Sequence, residues 1–127
     1  MEKLGLNNNF ISDINVFGKV SFLGIKDIYL YNNLIKDISV FNKTIFDKLE
    51  TLSLKHNKIS DISCFENAKL KELKKLYLNN NKINNINPFE KIQFQLDELY
   101  LNNNPFDRLN SSSVINFLKM KIKNFNV

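Results

Sequence analysis

Asparagine recurs in this chain at a nearly fixed interval. Asn9, Asn33, Asn57, Asn81 and Asn104 are spaced 24, 24, 24 and 23 residues apart. Each follows an apolar triplet: Met1-Leu4-Leu6, Ile25-Ile28-Leu30, Leu49-Leu52-Leu54, Leu73-Leu76-Leu78 and Leu96-Leu99-Leu101. Behind them come Ile11-Ile14-Phe17, Ile35-Ile38-Phe41, Ile59-Ile62-Phe65 and Ile83-Ile86-Phe89, then a shortened Phe106-Leu109. The unit reads L-x-x-L-x-L-x-x-N-x-I-x-D/N-I-x-x-F. A regular period in the twenties means units that bury their apolar faces only against one another, which is a solenoid. Such a chain builds an extended surface suited to binding something large.

Each unit is expected to open as a short strand at its x-L-x core, where side chains alternate inward and outward. One strand per unit stacks in parallel, and the intervening chain returns round the far side. The repeated Asn belongs at the bend after the strand. There its amide can pair with backbone groups that would otherwise be buried unsatisfied. Asn9, Asn33, Asn57, Asn81 and Asn104 are therefore read as a structural ladder, and none as a catalytic amide. Between the paired Ile positions lie Asp13, Asp37, Asp61 and Asn85, side chains suited to capping local turns. The sharper alternative, an acidic metal cluster, would spread them one per repeat along an outer edge without further ligands.

The far wall is read from the Phe17, Phe41, Phe65 and Phe89 column. Val20, Thr44, Ala68 and Ile92 follow at three residues, and Phe22, Phe46, Leu70 and Phe94 at five. These form a second apolar seam, best placed by a helical or 3-10 turn in each repeat. Near the end, Ser111-Ser112-Ser113 offers helix N-cap hydroxyls. A helix of two to three turns is expected to follow, carrying Val114, Ile115, Phe117, Leu118 and Met120. Ile122-x-x-Phe125-x-Val127 then restores the strand pattern. The organisation expected is five repeats over residues 1–110 and a C-terminal helix and last strand over 111–127 acting as a cap.

Segments such as LETLSLKHNKISDISCF and LKKLYLNNNKINNINPF closely resemble leucine-rich repeats of the 22-residue type. Those repeats occur in the regulatory subunits of type-1 protein phosphatase and in bacterial internalins. The resemblance spans nearly all of residues 1–127. It departs from the type in the 24-residue unit, in Phe where Leu is usual after D-I-x-x, and at the N-terminus, where no cap is recognisable. It implies an α/β fold, a leucine-rich-repeat solenoid. That is a curved right-handed horseshoe with a parallel concave sheet of about six short strands, and 3-10 or helical turns and loops on the convex side.

Chemistry is sparse. A nucleophile needs a base within hydrogen-bond reach, yet His56 and Cys64, the only residues of their kinds, fall at opposite walls of the repeat. Two such ligands cannot hold zinc, and three glycines do not make a phosphate loop. No catalytic residue, metal or cofactor is expected. The net charge of +5 raises the question of nucleic acid. However, the exposed strand positions carry Lys3, Lys26, Lys55, Lys74, Lys75 and Lys123 against Glu2, Asp27, Glu50, Asp97 and Glu98. So nearly neutral a face argues against phosphate binding, which needs a basic stripe. A single cysteine permits no intrachain disulfide, and neither a signal sequence nor an apolar run of membrane-spanning length is visible. A cytoplasmic location is expected.

The concave face remains. Its outward positions include all four tyrosines of the chain, and the partner-binding set expected there is Tyr29, Tyr31, Ser53, Lys55, His56, Tyr77, Asn79, Tyr100 and Asn102. Tyrosine combines apolar area with a polar tip and anchors interfaces; it is also simply a good residue for an exposed strand column. The leading expectation is a non-catalytic scaffold that binds a protein on this face. The alternatives are a type-1 phosphatase regulatory subunit, or a structural fragment of a larger surface or effector protein. Met1, Leu4 and Leu6 have no unit before them, so two further readings stand open: repeats missing at the N-terminal end, or self-association.

Overall fold

The computed structural model describes residues 1–127. Six strands of three residues each, β1 (Lys3–Gly5), β2 (Asp27–Tyr29), β3 (Thr51–Ser53), β4 (Lys75–Tyr77), β5 (Glu98–Tyr100) and β6 (Asn124–Asn126), form one parallel sheet in chain order. The middle residue of every strand is the central apolar residue of its triplet. The register accordingly runs Leu4, Ile28, Leu52, Leu76, Leu99, Phe125 straight across the sheet. From Ile28 to Leu99 these side chains are wholly buried, whereas Leu4 and Phe125 at the two edges are only partly so. A slip of one residue would turn the whole aliphatic set out to solvent, so the register is strongly specified.

The strands end at a sharp bend. Asn8, Asn32, His56, Asn80 and Asn103 occupy left-handed backbone, with φ between 55° and 60°. Asparagine tolerates this region better than most side chains, because its short amide can bond locally. The next residue is the ladder asparagine. Asn57 Nδ2 donates to the carbonyl oxygens of Leu30 and Leu54 at 3.0 Å, and its Oδ1 accepts from Ile35 N at 3.0 Å. Asn33 and Asn81 repeat the pattern one unit back and one unit on, and Asn104 makes the same three bonds. Each of these four amides thus ties its own bend to the preceding unit. Asn9 bonds only within its own bend, to the carbonyls of Leu6 and Asn7, and is exposed.

Beyond the ladder the chain turns into the far wall. Asp13, Asp37, Asp61 and Asn85 each accept from the backbone N–H two residues on, at 2.8–2.9 Å. These bonds open short helical turns: 3-10 at Asn15–Lys19, Ser63–Glu66 and Asn87–Glu90, and a single α turn, α1, at Val40–Lys43. The amide bonds also hold the Asp37 and Asp61 carboxyls below the usual carboxylate range. Inside the turns Phe41, Phe65 and Phe89 stack at centroid spacings of 6.4 Å. Phe22 and Phe46 stack at 5.3 Å beside them. One cluster of 34 buried residues joins this wall to the strands, so the molecule has a single continuous core.

Some expectations are corrected. Val20 is 46% exposed, unlike Thr44 and Ala68 in the same column, because no earlier turn packs over it. The C-terminal helix α2 (Ser112–Lys121) has Ser111 at its N-cap position, but the hydroxyl makes no capping bond. Met120 lies on the solvent side of α2, whereas Val114, Ile115 and Leu118 are buried.

The ladder makes a graded prediction for stability. Asn57→Ala orphans the buried Ile35 N–H and takes one of two side-chain donors from each of the Leu30 and Leu54 carbonyls, which Asn33 and Asn81 still bond. It should cost about 2 kcal/mol, whereas exposed Asn9→Ala should cost under about 1 kcal/mol. Denaturant unfolding of both variants measures the difference.

Candidate functional site

Beside the outward column Lys3, Asp27, Thr51, Lys75, Glu98, Asn124 that opens the strands, the sheet carries two further outward columns. The first runs Gly5, Tyr29, Ser53, Tyr77, Tyr100, Asn126, in the register of the strand pairs. The second lies two residues further along each unit, where the chain is still laddered to its neighbour: Asn7, Tyr31, Lys55, Asn79, Asn102. All four tyrosines stand in these columns, each partly exposed. The core uses none of them. Its aromatic packing is entirely phenylalanine, on the opposite wall.

The tyrosines are held by specific contacts. Lys3 Nζ lies 4.8 Å from the centroid of the Tyr29 ring, and Lys55 Nζ 4.9 Å from that of Tyr31. Tyr77 and Tyr100 meet edge to face, with centroids 5.1 Å apart and planes at 87°. The Tyr77 hydroxyl donates to Glu98 Oε2 at 2.6 Å, and Lys75 Nζ lies 3.4 Å from the other oxygen of that carboxylate. Asn124 Nδ2 donates to the Tyr100 hydroxyl at 3.4 Å. Burial, reinforced by the bond to Glu98, pushes the Tyr77 phenol well above its ordinary pKa. The same bond, helped by Lys75, holds Glu98 below the usual carboxylate range. A charge-assisted bond of this length fixes the ring's direction.

Ser53 does not belong to the exposed set. It is 2% exposed, because it sits in register between Tyr29 and Tyr77, whose longer side chains flank it on both sides. It is the floor between them. Lys55, Asn79 and Asn102 are partly exposed, and His56 is exposed at the bend. The Oδ1 atoms of Asn79 and Asn102 are out of solvent, and the structure supplies a donor to neither. Among the ladder residues, Asn33, Asn57 and Asn81 are buried; they support the face from behind.

Two groups of residues escaped sequence reasoning. Glu98 and Lys75 entered it only as charges, yet they anchor Tyr77. The signal was their register, since Lys75 and Glu98 are cross-strand partners, as are Tyr77 and Tyr100. The second is the positive-φ column along the rim of the face. Asn32 Nδ2 donates to Asn8 Oδ1 at 2.7 Å, and Asn103 Nδ2 to Asn80 Oδ1 at 3.1 Å, while His56 interrupts the series between them. Consecutive asparagines at the bend in every unit but the third carried that signal.

Cys64 lies buried in the Ser63–Glu66 turn on the far wall, away from the exposed bend that carries His56. Burial, with the nearby Asp61 and Asp37 charges, pushes its thiol up to about 12. Such a thiol is a poor nucleophile at neutral pH.

An open parallel sheet with one short strand per unit, an asparagine at each bend and helical turns behind defines a repeat solenoid built from leucine-rich units. A family model described as leucine-rich repeats, in two copies, matches residues 47–91. Among solved structures, an internalin from Listeria monocytogenes superposes on 94% of this chain with a TM-score of 0.62 at 20% identity. The chain spans 39% of that internalin's length. No curated protein matches the sequence. Over residues 47–91 the chain matches leucine-rich repeats, and its fold is that of a leucine-rich-repeat solenoid. No helix is long and apolar enough to cross a membrane.

Two measurements check the site's electrostatics. Tyr77→Phe removes the largest cause of the Glu98 shift, so the Glu98 carboxyl should titrate at higher pH than in the wild type, read by NMR. The sign follows from a depressed folded-state pKa: the bond stabilises the fold above the ordinary carboxylate pKa, and that gain is lost as pH falls through the folded value. Separately, Cys64 should resist a disulfide reagent at pH 8 in the native protein and react at once when urea unfolds it.

Proposed function

We propose that this chain is a non-catalytic scaffold that binds a protein partner on its concave sheet face. The observation that carries this reading is the segregation of aromatics. Every tyrosine lies on the sheet face and is partly exposed, whereas phenylalanine fills the core on the other wall. Nothing in the packing calls for tyrosine there. Rings held at their tips and edges lose little side-chain freedom on binding, which favours interface anchors.

The face's charges support a protein rather than a nucleic acid as the partner. Two of its lysines are ion-paired within the molecule, Lys26 Nζ 3.1 Å from Glu2 and Lys75 with Glu98, and Lys3 and Lys55 lie over tyrosine rings. No uncompensated basic stripe is left to displace counterions. A lone buried thiol accords with a reducing, cytoplasmic compartment. Regulation of a type-1 phosphatase rests on sequence resemblance alone, and co-purification with a phosphatase catalytic subunit is its test. Membership of a larger repeat protein is the third reading, and genomic sequence continuing in frame upstream of Met1 is its test.

The test is paired substitution. Tyr77→Ala and Tyr100→Ala should each weaken partner binding by about 2 kcal/mol, or roughly 30-fold, with the circular dichroism of the folded chain unchanged, although loss of the Tyr77–Glu98 bond and of the edge-to-face pair lowers the unfolding midpoint. Equal loss from a change on the convex wall, such as Asn42→Ala, would point to the wrong face.

A further inference from the structure

The two ends of the sheet are chemically complementary. One residue before each strand lies a column joined by backbone bonds from unit to unit: Lys26 N to Glu2 O, Glu50 N to Lys26 O, Lys74 N to Glu50 O, Asp97 N to Lys74 O and Asn124 N to Asp97 O. The sixth member, Lys123, precedes Asn124. Read across the sheet the column is Glu2, Lys26, Glu50, Lys74, Asp97, Lys123, so the charge alternates without a break. It begins negative at the β1 edge and ends positive at the β6 edge. Like charges on adjacent strands repel and opposite ones attract, and this column never places two like charges side by side.

We propose that two copies of this chain join head to tail, with β6 of one pairing in parallel against β1 of the next. Lys123 then lies beside Glu2 of the neighbouring copy and carries the alternation across the junction. The backbone pattern continues as well. Leu6, Leu30, Leu54, Leu78 and Leu101 each donate an amide to the next strand, the last to Asn126 O at 2.6 Å. The next step in that series is Val127 N to Gly5 O of the neighbour. Asn9 fits the same junction. Asn33, Asn57, Asn81 and Asn104 each bond the carbonyl of the apolar residue that closes the preceding triplet. For Asn9 that residue is Val127 of the other copy. Apolar surface is present on both sides, with Leu4, Leu6 and Ile11 partly buried at one edge and Phe125 and Val127 at the other. Different surfaces meet at such a contact, so it repeats and yields open chains of copies rather than a closed dimer. It leaves the tyrosine face free, and it stands or falls separately from the binding reading above.

Engineered disulfides test the register. Adjacent strands lie about 4.8 Å apart, within disulfide reach. The β1 and β6 edges of one chain are separated by five such spacings, about 24 Å, so a bond between positions 2 and 123 of one molecule cannot form. Under mild oxidation the double variant Glu2→Cys/Lys123→Cys should give a ladder of covalent oligomers in steps of 14.9 kDa, while each single variant stays uncrosslinked. Buried Cys64 contributes nothing in the folded state. Charge reversal gives a second reading by light scattering: Glu2→Lys or Lys123→Glu alone should weaken association about tenfold, and the two together should restore it. A double-cysteine variant that remains monomeric, or a dimer formed by Glu2→Cys alone, overturns the proposal.

Discussion

A buried amide that answers to two repeats at once is the interaction on which this fold depends. A solenoid turns its chain through a tight bend in every unit, and each bend takes backbone carbonyls and amides out of water. Unpaired, each would cost about 1–3 kcal/mol. Asn33, Asn57, Asn81 and Asn104 satisfy them with one side chain per bend, bonding within the unit and to the unit before. The same bonds that hold a bend in place therefore set the spacing between units. The period of the sequence and the pitch of the sheet are consequences of one geometry.

From that constraint follows a division of labour between walls. The bend and the aliphatic triplets occupy the inward positions, and stacked phenylalanines space the far wall. The outward sheet columns are left without a packing duty. Side chains there can vary with function, and in this chain they include tyrosines whose hydroxyls and ring faces are held by Glu98, Asn124 and the lysines. Tyr77 shows the principle best, being directed by a carboxylate one strand away that is itself held by Lys75.

Most of the scaffold was legible because it repeats. Five asparagines in register, four capping side chains at one offset and six apolar triplets leave little freedom in placing strands and turns. Where the sequence misled, the cause was a neighbour rather than a residue. Ser53 sits in an outward column, yet Tyr29 and Tyr77 beside it remove it from solvent. Val20 belongs to a buried column, yet nothing stacks over it in the first unit. The tie between Tyr77 and Glu98 lay in cross-strand register, visible only once the 23-residue step between β4 and β5 is allowed for. His56 occupies a left-handed position that asparagine holds in every other unit, and the sequence pattern alone does not show that backbone.

Native-state hydrogen exchange tests the ladder most directly. The amides of Ile35 and Ile59 donate to the buried side chains of Asn57 and Asn81 rather than to any backbone carbonyl. If those amides fasten unit to unit, their protons should exchange only through global unfolding, as slowly as the central strand amides of Leu54 and Leu78. Exchange of Ile35 and Ile59 at the rate of exposed loop amides, while the strands stay protected, would contradict the account.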